Sequence, residues 1–117
     1  MKNKILELFK TIDQMDSDKF VSFLTDDARF CFGNAPAVVG KEAIKKAVSQ
    51  FFSSIKSLTH KNLNLWVNQD SLTYQGEVTY TRHDGSQLTL PFVNIFGTKG
   101  DKIKDYLIYI DINPLYS

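Results

Sequence analysis

The sequence predicts an α+β domain in which three N-terminal helices pack on one face of a curved, mostly antiparallel sheet and enclose an apolar pocket. Three observations lead there. Apolar residues recur at helical spacing through the first half of the chain, they alternate with polar residues from Thr59 onward, and only short polar turns join the alternating stretches. Short turns force antiparallel neighbours, and three helices can cover only one face of such a sheet.

Ile5, Leu8, Phe9 and Ile12, continued by Met15, mark the first helix. Asp16 and Ser17 supply a break and a cap. A short second helix carries Phe20, Phe23 and Leu24 on one face and ends at Thr25, Asp26 and Asp27. Residues 28–32, "ARFCF", alternate as a strand, and glycine and proline make "GNAPAVVG" a loop. The third helix starts after Gly40, with the stripe Ile44, Val48, Phe51, Phe52 and Ile55.

Four strands follow, over Thr59–Asn68, Ser71–Arg82, Gln87–Gly97 and Ile103–Asp111. "NQDS", "HDGS" and "TKGD" turn the chain between them, and Asp84-Gly85 is a strong hairpin signal. In the first of the four, Leu63, Leu65 and Val67 alternate with Asn62, Asn64 and Trp66. In the third, Leu88, Leu90, Phe92 and Phe96 share one face, while Val93 and Ile95 occupy the other. A monomer would wet one of these apolar faces, so the pattern predicts a homodimer packed through the outer sheet face.

The bulk numbers fit a single domain over residues 1–117: 43% of the residues are hydrophobic, enough for a real core. Charged residues make up 23% and the net charge is +1, with lysines spread along the chain, which gives no electrostatic reason for nucleic acid or an anionic membrane. The lone Cys31 can form neither an internal disulfide nor a cysteine metal site. The N-terminus lacks the apolar run of a signal peptide and no stretch could span a membrane, so a cytoplasmic location is the expectation. No histidine–carboxylate spacing suits a metal, and there is neither a glycine-rich phosphate loop nor a nucleophile elbow, so no cofactor is implied.

The element order, together with "VVGKEAI", "LPFVNIF", "GDKIKDY" and "YIDINPL", resembles the nuclear transport factor two-like superfamily over nearly the whole chain. The nearest branch is the SnoaL-like and ketosteroid-isomerase-like one, which implies a cystatin-like cone around a small-molecule pocket. The fold hosts isomerases, cyclases, epoxide hydrolases and non-enzymatic binding modules, so it does not fix the activity. The steroid-isomerase pattern is broken: its base falls near Phe32, the first tyrosine is Tyr74, and "LPFVNIF" holds no carboxylate. Against epoxide hydrolases, Asp111 matches one acid, Glu77 the second and Asn34 the asparagine, whereas Gln75 replaces the arginine and Phe32 the tyrosine. The SnoaL-like cyclase pattern needs one aspartate, which Asp111 supplies by resemblance.

Two readings follow. In one, the protein is a cofactor-free isomerase or cyclase with Asp111, assisted by Glu77 or Asn94, as a desolvated acid–base group. In the other, it is a binding module for a small apolar or polycyclic molecule or a protein partner. Phe32, Phe92, Phe96, Trp66, Tyr109, Asn34 and Asn94 are the candidate ligand contacts in either. Each polar candidate has a plainer alternative. Asp111 could cap the Asn113-Pro114 turn, Glu77 sits opposite an apolar strand face and could lie in water, and Asn34 suits a turn. A buried Asn94 would need a partner. Trp66 suits the pocket mouth or the dimer interface, and His60 and His83 read as solvated or packed side chains.

Overall fold

The computed structural model describes residues 1–117, in the order α1 (Lys2–Asp13), α2 (Ser17–Val21), β1 (Leu24–Phe32), β2 (Val38–Val39), α3 (Lys41–Ser53), β3 (Ser57–Val67), β4 (Ser71–Thr81), β5 (Gln87–Lys99), β6 (Lys102–Tyr109) and α4 (Asn113–Tyr116). The strands form one sheet in the order β2-β1-β6-β5-β4-β3. All neighbours are antiparallel except β1 and β6. Helices α1, α2 and α3 bury their apolar stripes in the same core as the inward side chains of the sheet. This is the cone predicted from the sequence. No helix is long and apolar enough to cross a membrane.

Several boundaries differ from the sequence reading. Met15 takes a left-handed backbone, φ 57°, so α1 stops before it, and Asp16 then caps α2 by accepting the Lys19 N–H at 3.0 Å. Leu24 is already in β1, and Thr25 to Asp27 belong to that strand rather than ending a helix. The β1–β6 register is irregular between Leu24 and Arg29, so the polar triplet forms a bulged stretch while Leu24 and Ala28 stay buried. The last strand ends at Tyr109. Asp111 therefore lies in the connection to α4, a short helix that the sequence reading missed. Arg82 ties α4 down, donating from Nε to the Leu115 carbonyl at 3.1 Å and from Nη2 to the Pro114 carbonyl at 2.9 Å.

The central strands alternate cleanly. On β4, Leu72, Tyr74, Val78 and Tyr80 are buried and their odd-numbered neighbours are half-exposed. On β5, Leu90, Phe92, Asn94 and Phe96 are buried. Stacked and edge-on aromatic contacts fill the space below α1. Phe9 lies on Tyr74 at 3.9 Å between ring centroids, and Phe96 meets Tyr106 edge-on at 4.7 Å.

β3 does not keep one alternation. Its register against β4 shifts between Asn62 and Asn64, leaving Leu63 as an extra residue. Before the bulge, Leu58 and His60 oppose Tyr80 and Val78 on the helix side; after it, Leu65 and Val67 oppose Tyr74 and Leu72 there. The bulge is possible because its partner is a glycine. A Cβ on Gly76 would lie 2.3 Å from the Lys61 carbonyl oxygen, a backbone atom that cannot swing away.

Gly76→Ala therefore tests the bend. The expected loss is about 1–3 kcal/mol, the usual range for forcing one extra carbon into a packed site. Urea unfolding checks it, and an unchanged midpoint would show that the strands do not need this close approach.

Candidate functional site

Between the helices and the inner sheet face lies a cavity of about 60 Å³, lined by 17 residues of which 15 are hydrophobic. Phe30, Phe32, Ala47, Phe51 and Ile110 are shared with a wider, more open vestibule of about 390 Å³, whose polar rim includes Asn34, Asp111, Asn113 and Tyr116. Phe32 and Phe51, 5.0 Å apart between centroids, stand at this junction.

Asn94 is the most unusual side chain of the inner cavity. It sits mid-strand on β5 between Phe92 and Phe96 and is 2% exposed. Its Oδ1 is buried with no hydrogen-bond partner in the protein. Such a group costs about 1–3 kcal/mol, so its place at a cavity wall calls for a partner from within the cavity.

Tyr80 and Tyr106 line the same space. Of the tyrosines, Tyr116 has its hydroxyl bonded, to Ser54 Oγ at 3.0 Å. Burial, helped by the neighbouring phenols, holds Tyr106 and Tyr80 well above the ordinary phenol range. Burial and then the Asp13 charge push Tyr74 up to about 12. These phenols remain protonated donors at neutral pH.

The second polar feature is His60. It lines the cavity from β3, and its Nδ1 lies 2.6 Å from Asp13 Oδ1. The other carboxylate oxygen accepts the His60 backbone N–H at 3.1 Å. Facing a carboxylate, Nδ1 is the donor, and in the neutral ring the lone pair is then on Nε2. The ring is flanked edge-on by Phe9 and Phe92, at 4.9 and 5.4 Å between centroids.

The structure brings together some sequence-predicted residues and separates others. Asn94 and Phe92 line the inner cavity, Phe32 lines both spaces, and Asn34 and Asp111 border only the vestibule. Asp111 is exposed and accepts the Asn113 N–H at 3.2 Å, the turn-capping arrangement. Its carboxylate stands in solvent at the vestibule rim rather than against the apolar wall of the inner cavity. Glu77 opposes Lys61 and Pro91 on the outer sheet face, because Val78 beside it is turned inward. Phe96 is fully buried in the core below and does not line the cavity. Trp66 and Tyr109 are also on the outer face, opposite Thr73 and Val93, and 51% and 58% exposed.

Sequence reasoning set His60 down as a solvated or packed side chain and gave no signal for Asp13, Tyr80 or Tyr106 as cavity neighbours. Alternation read back from Val67 through Leu65 and Leu63 puts His60 on the opposite face, with Asn62 and Asn64; the bulge reverses that. Of the predicted stripe of Leu63, Leu65 and Val67, the last two share the helix side, but only Leu65 packs against the core, and Leu63 and Val67 are both exposed. Asp13 shares α1 with the apolar stripe and gave no signal of its own.

The profile of the SnoaL-like domain family matches residues 5–106. No curated protein matches the chain in sequence. Among solved structures, a presumed polyketide cyclase from Xanthomonas campestris is similar, with a TM-score of 0.88 at 14% identity over 97% of this chain and 92% of that one. An NTF2-like protein from Anabaena variabilis gives 0.84 at 20% identity over 94% and 86%. SalBIII, an epoxide hydrolase/cyclase-like enzyme of pyran ring formation in the polyether salinomycin, gives 0.84 at 16% over 96% and 91%. At these identities the likeness is one of fold.

The buried phenols set an alkaline limit. Tyr74, Tyr80 and Tyr106 have folded values raised above the unfolded value of about 10. Their contribution is therefore complete below about pH 10 and is lost as the pH rises through the folded values, which for Tyr74 is the window up to about 12. In an absorbance titration, these three phenolates should form together with loss of near-ultraviolet circular dichroism. Their formation in a protein that stays folded would contradict the assignment.

Proposed function

The chain belongs to the SnoaL-like domain family, and from that premise we propose that it binds a small, largely apolar molecule in the aromatic cavity, oriented by the Asn94 amide. The unpartnered Asn94 Oδ1 carries this reading. An amide offers an acceptor and two donors, so it suits a ligand with one hydroxyl or carbonyl group on an apolar body. The inner cavity of about 60 Å³ admits only the polar head and a few carbons, and the vestibule of about 390 Å³ takes the remainder. A polycyclic body would have to rest there, beyond Phe32 and Phe51.

The similar solved structures include a presumed cyclase and an epoxide hydrolase/cyclase-like enzyme, which makes chemistry in the cavity a natural extension of binding. Epoxide hydrolysis with two carboxylates on one substrate gains no support, because Glu77 is on the outer face and Asp111 on the vestibule rim. Binding without chemistry is the second reading, favoured by the exposure of Asp111.

Asn94→Leu separates function from stability. It removes the unpartnered buried Oδ1, so the variant should be more stable by about 1–3 kcal/mol. It should also lose binding of small aromatic alcohols and ketones, followed by NMR shifts of the cavity residues. A variant that binds such compounds as wild type does would sink the proposal.

The outer sheet face is a separate matter. Trp66, Ile95 and Tyr109 are exposed there beside half-buried Val93 and Leu107, with Arg29, Asp105, Lys61 and Glu77 supplying charges of both signs. A self-complementary patch of this kind fits a second copy, and we propose a homodimer through it. Sedimentation should give twice the 13.4 kDa chain mass, and Trp66→Glu should give monomer. A wild-type protein that sediments as monomer at micromolar concentration would refute it.

A further inference from the structure

We propose that His60 is the proton-transfer group of this cavity, with Asp13 as its positioning residue, and that the substrate is an enolisable carbonyl compound. The proposal rests on the reading of the cavity as a ligand site and goes beyond it by assigning chemistry.

Three observations carry it. The Asp13 carboxylate grips His60 twice, at Nδ1 and at the backbone N–H, so the ring cannot turn without breaking a contact. The imidazole side chain is only 10% exposed and borders the same cavity as Asn94. The competing groups are unsuited. Asp111 is exposed at the rim, Glu77 is on the other side of the sheet, and the cavity phenols are donors rather than bases.

The donor set selects the substrate class. Asn94 can donate through Nδ2 to a carbonyl oxygen and accept at Oδ1 from the hydroxyl of the corresponding enol, so one amide matches both tautomers. In the step itself, Nε2 takes a proton from the carbon next to the carbonyl. The C–H electron pair becomes the carbon–carbon double bond of an enolate, and the negative charge moves to the oxygen. Asn94 and the protonated phenols stabilise that charge in a site with little water. The imidazolium then returns the proton to carbon. Nothing is oxidised or reduced, and no other reactant is consumed.

A His–Asp pair that merely joined α1 to β3 would be needed for folding and for nothing else. The test uses acetophenone as probe with the full chain in deuterated buffer. Probe binding is followed by the shift of the Asn94 side-chain amide, and catalysis by deuterium entering the probe's methyl group. The expected result is binding with exchange above the buffer rate. His60→Gln should keep the fold and the amide shift while losing at least about a hundredfold in exchange. Asp13→Asn should lower kcat with KM little changed, and the ¹⁵N signals of the ring should lose the Nδ1–H preference expected of wild type. Two results would overturn the assignment: binding without exchange in wild type, or exchange in His60→Gln at the wild-type rate. If the probe does not shift the Asn94 amide at all, the ligand-site reading fails, and this assignment falls with it. Should His60→Gln not fold, His60→Asn and the tautomer spectrum of wild type decide, since a ring bearing its proton on Nε2 would exclude the base.

Discussion

The site depends on one backbone event, the bulge at Leu63 seated against Gly76. A regular β3 would send a single set of alternate residues inward along its whole length. If that set were the one containing Leu65 and Val67, His60 would face outward and could not reach Asp13 on α1. The extra residue lets the strand turn buried Leu58 and half-buried His60 inward at one end and half-buried Leu65 inward at the other. Gly76 makes room for it, because only a residue without Cβ can sit so near the Lys61 carbonyl. A backbone irregularity thus decides which imidazole enters the cavity.

Much of this fold could be read from the residues because the patterns are local. The helical stripes of α1 and α3 and the alternation on β4 and β5 each follow from side-chain periodicity, and apart from half-buried Met15, Phe51 and Leu88 their predicted members are buried. Asn94 was visible for the same reason: an amide inside "LPFVNIF" stands out against apolar neighbours. What could not be read depends on pairing between distant segments. The register shift in β3 is defined against β4, the bulged stretch of β1 against β6, and α4 is held by Arg82 from another hairpin. The His60–Asp13 contact joins residues 47 positions apart and leaves no trace in either local pattern. For Asp111 the plainer of its two readings, a cap on the Asn113-Pro114 turn, matches the contact its carboxylate makes. Its place near the end of a strand was right, but the strand stops two residues earlier and the carboxylate turns to the Asn113 N–H.

The polar content of the cavity bears on stability as well as chemistry. An unpartnered amide oxygen costs about 1–3 kcal/mol against a total that is itself only about 5–15 kcal/mol for a domain of this kind. The aromatic packing beneath it offsets that cost: Phe9, Tyr74, Phe92, Phe96 and Tyr106 form a continuous set of contacts from α1 to β6. The core thus carries the strain of a polar group placed where a methyl would pack better, the pattern expected where a binding site and a core share a wall.

The position of β3 at the free edge of the sheet gives its bulge a further consequence, in protection against aggregation. Apart from the His60 N–H held by Asp13, an edge strand of 11 residues presents a row of unpaired N–H and C=O groups to any other extended chain. A regular edge carrying Trp66 and Val67 would be a template for unwanted strand addition. The bulge breaks the spacing of that row near its middle, and Lys61 places a charge beside the break. An incoming strand can match one half of the edge or the other, but not both in a single register.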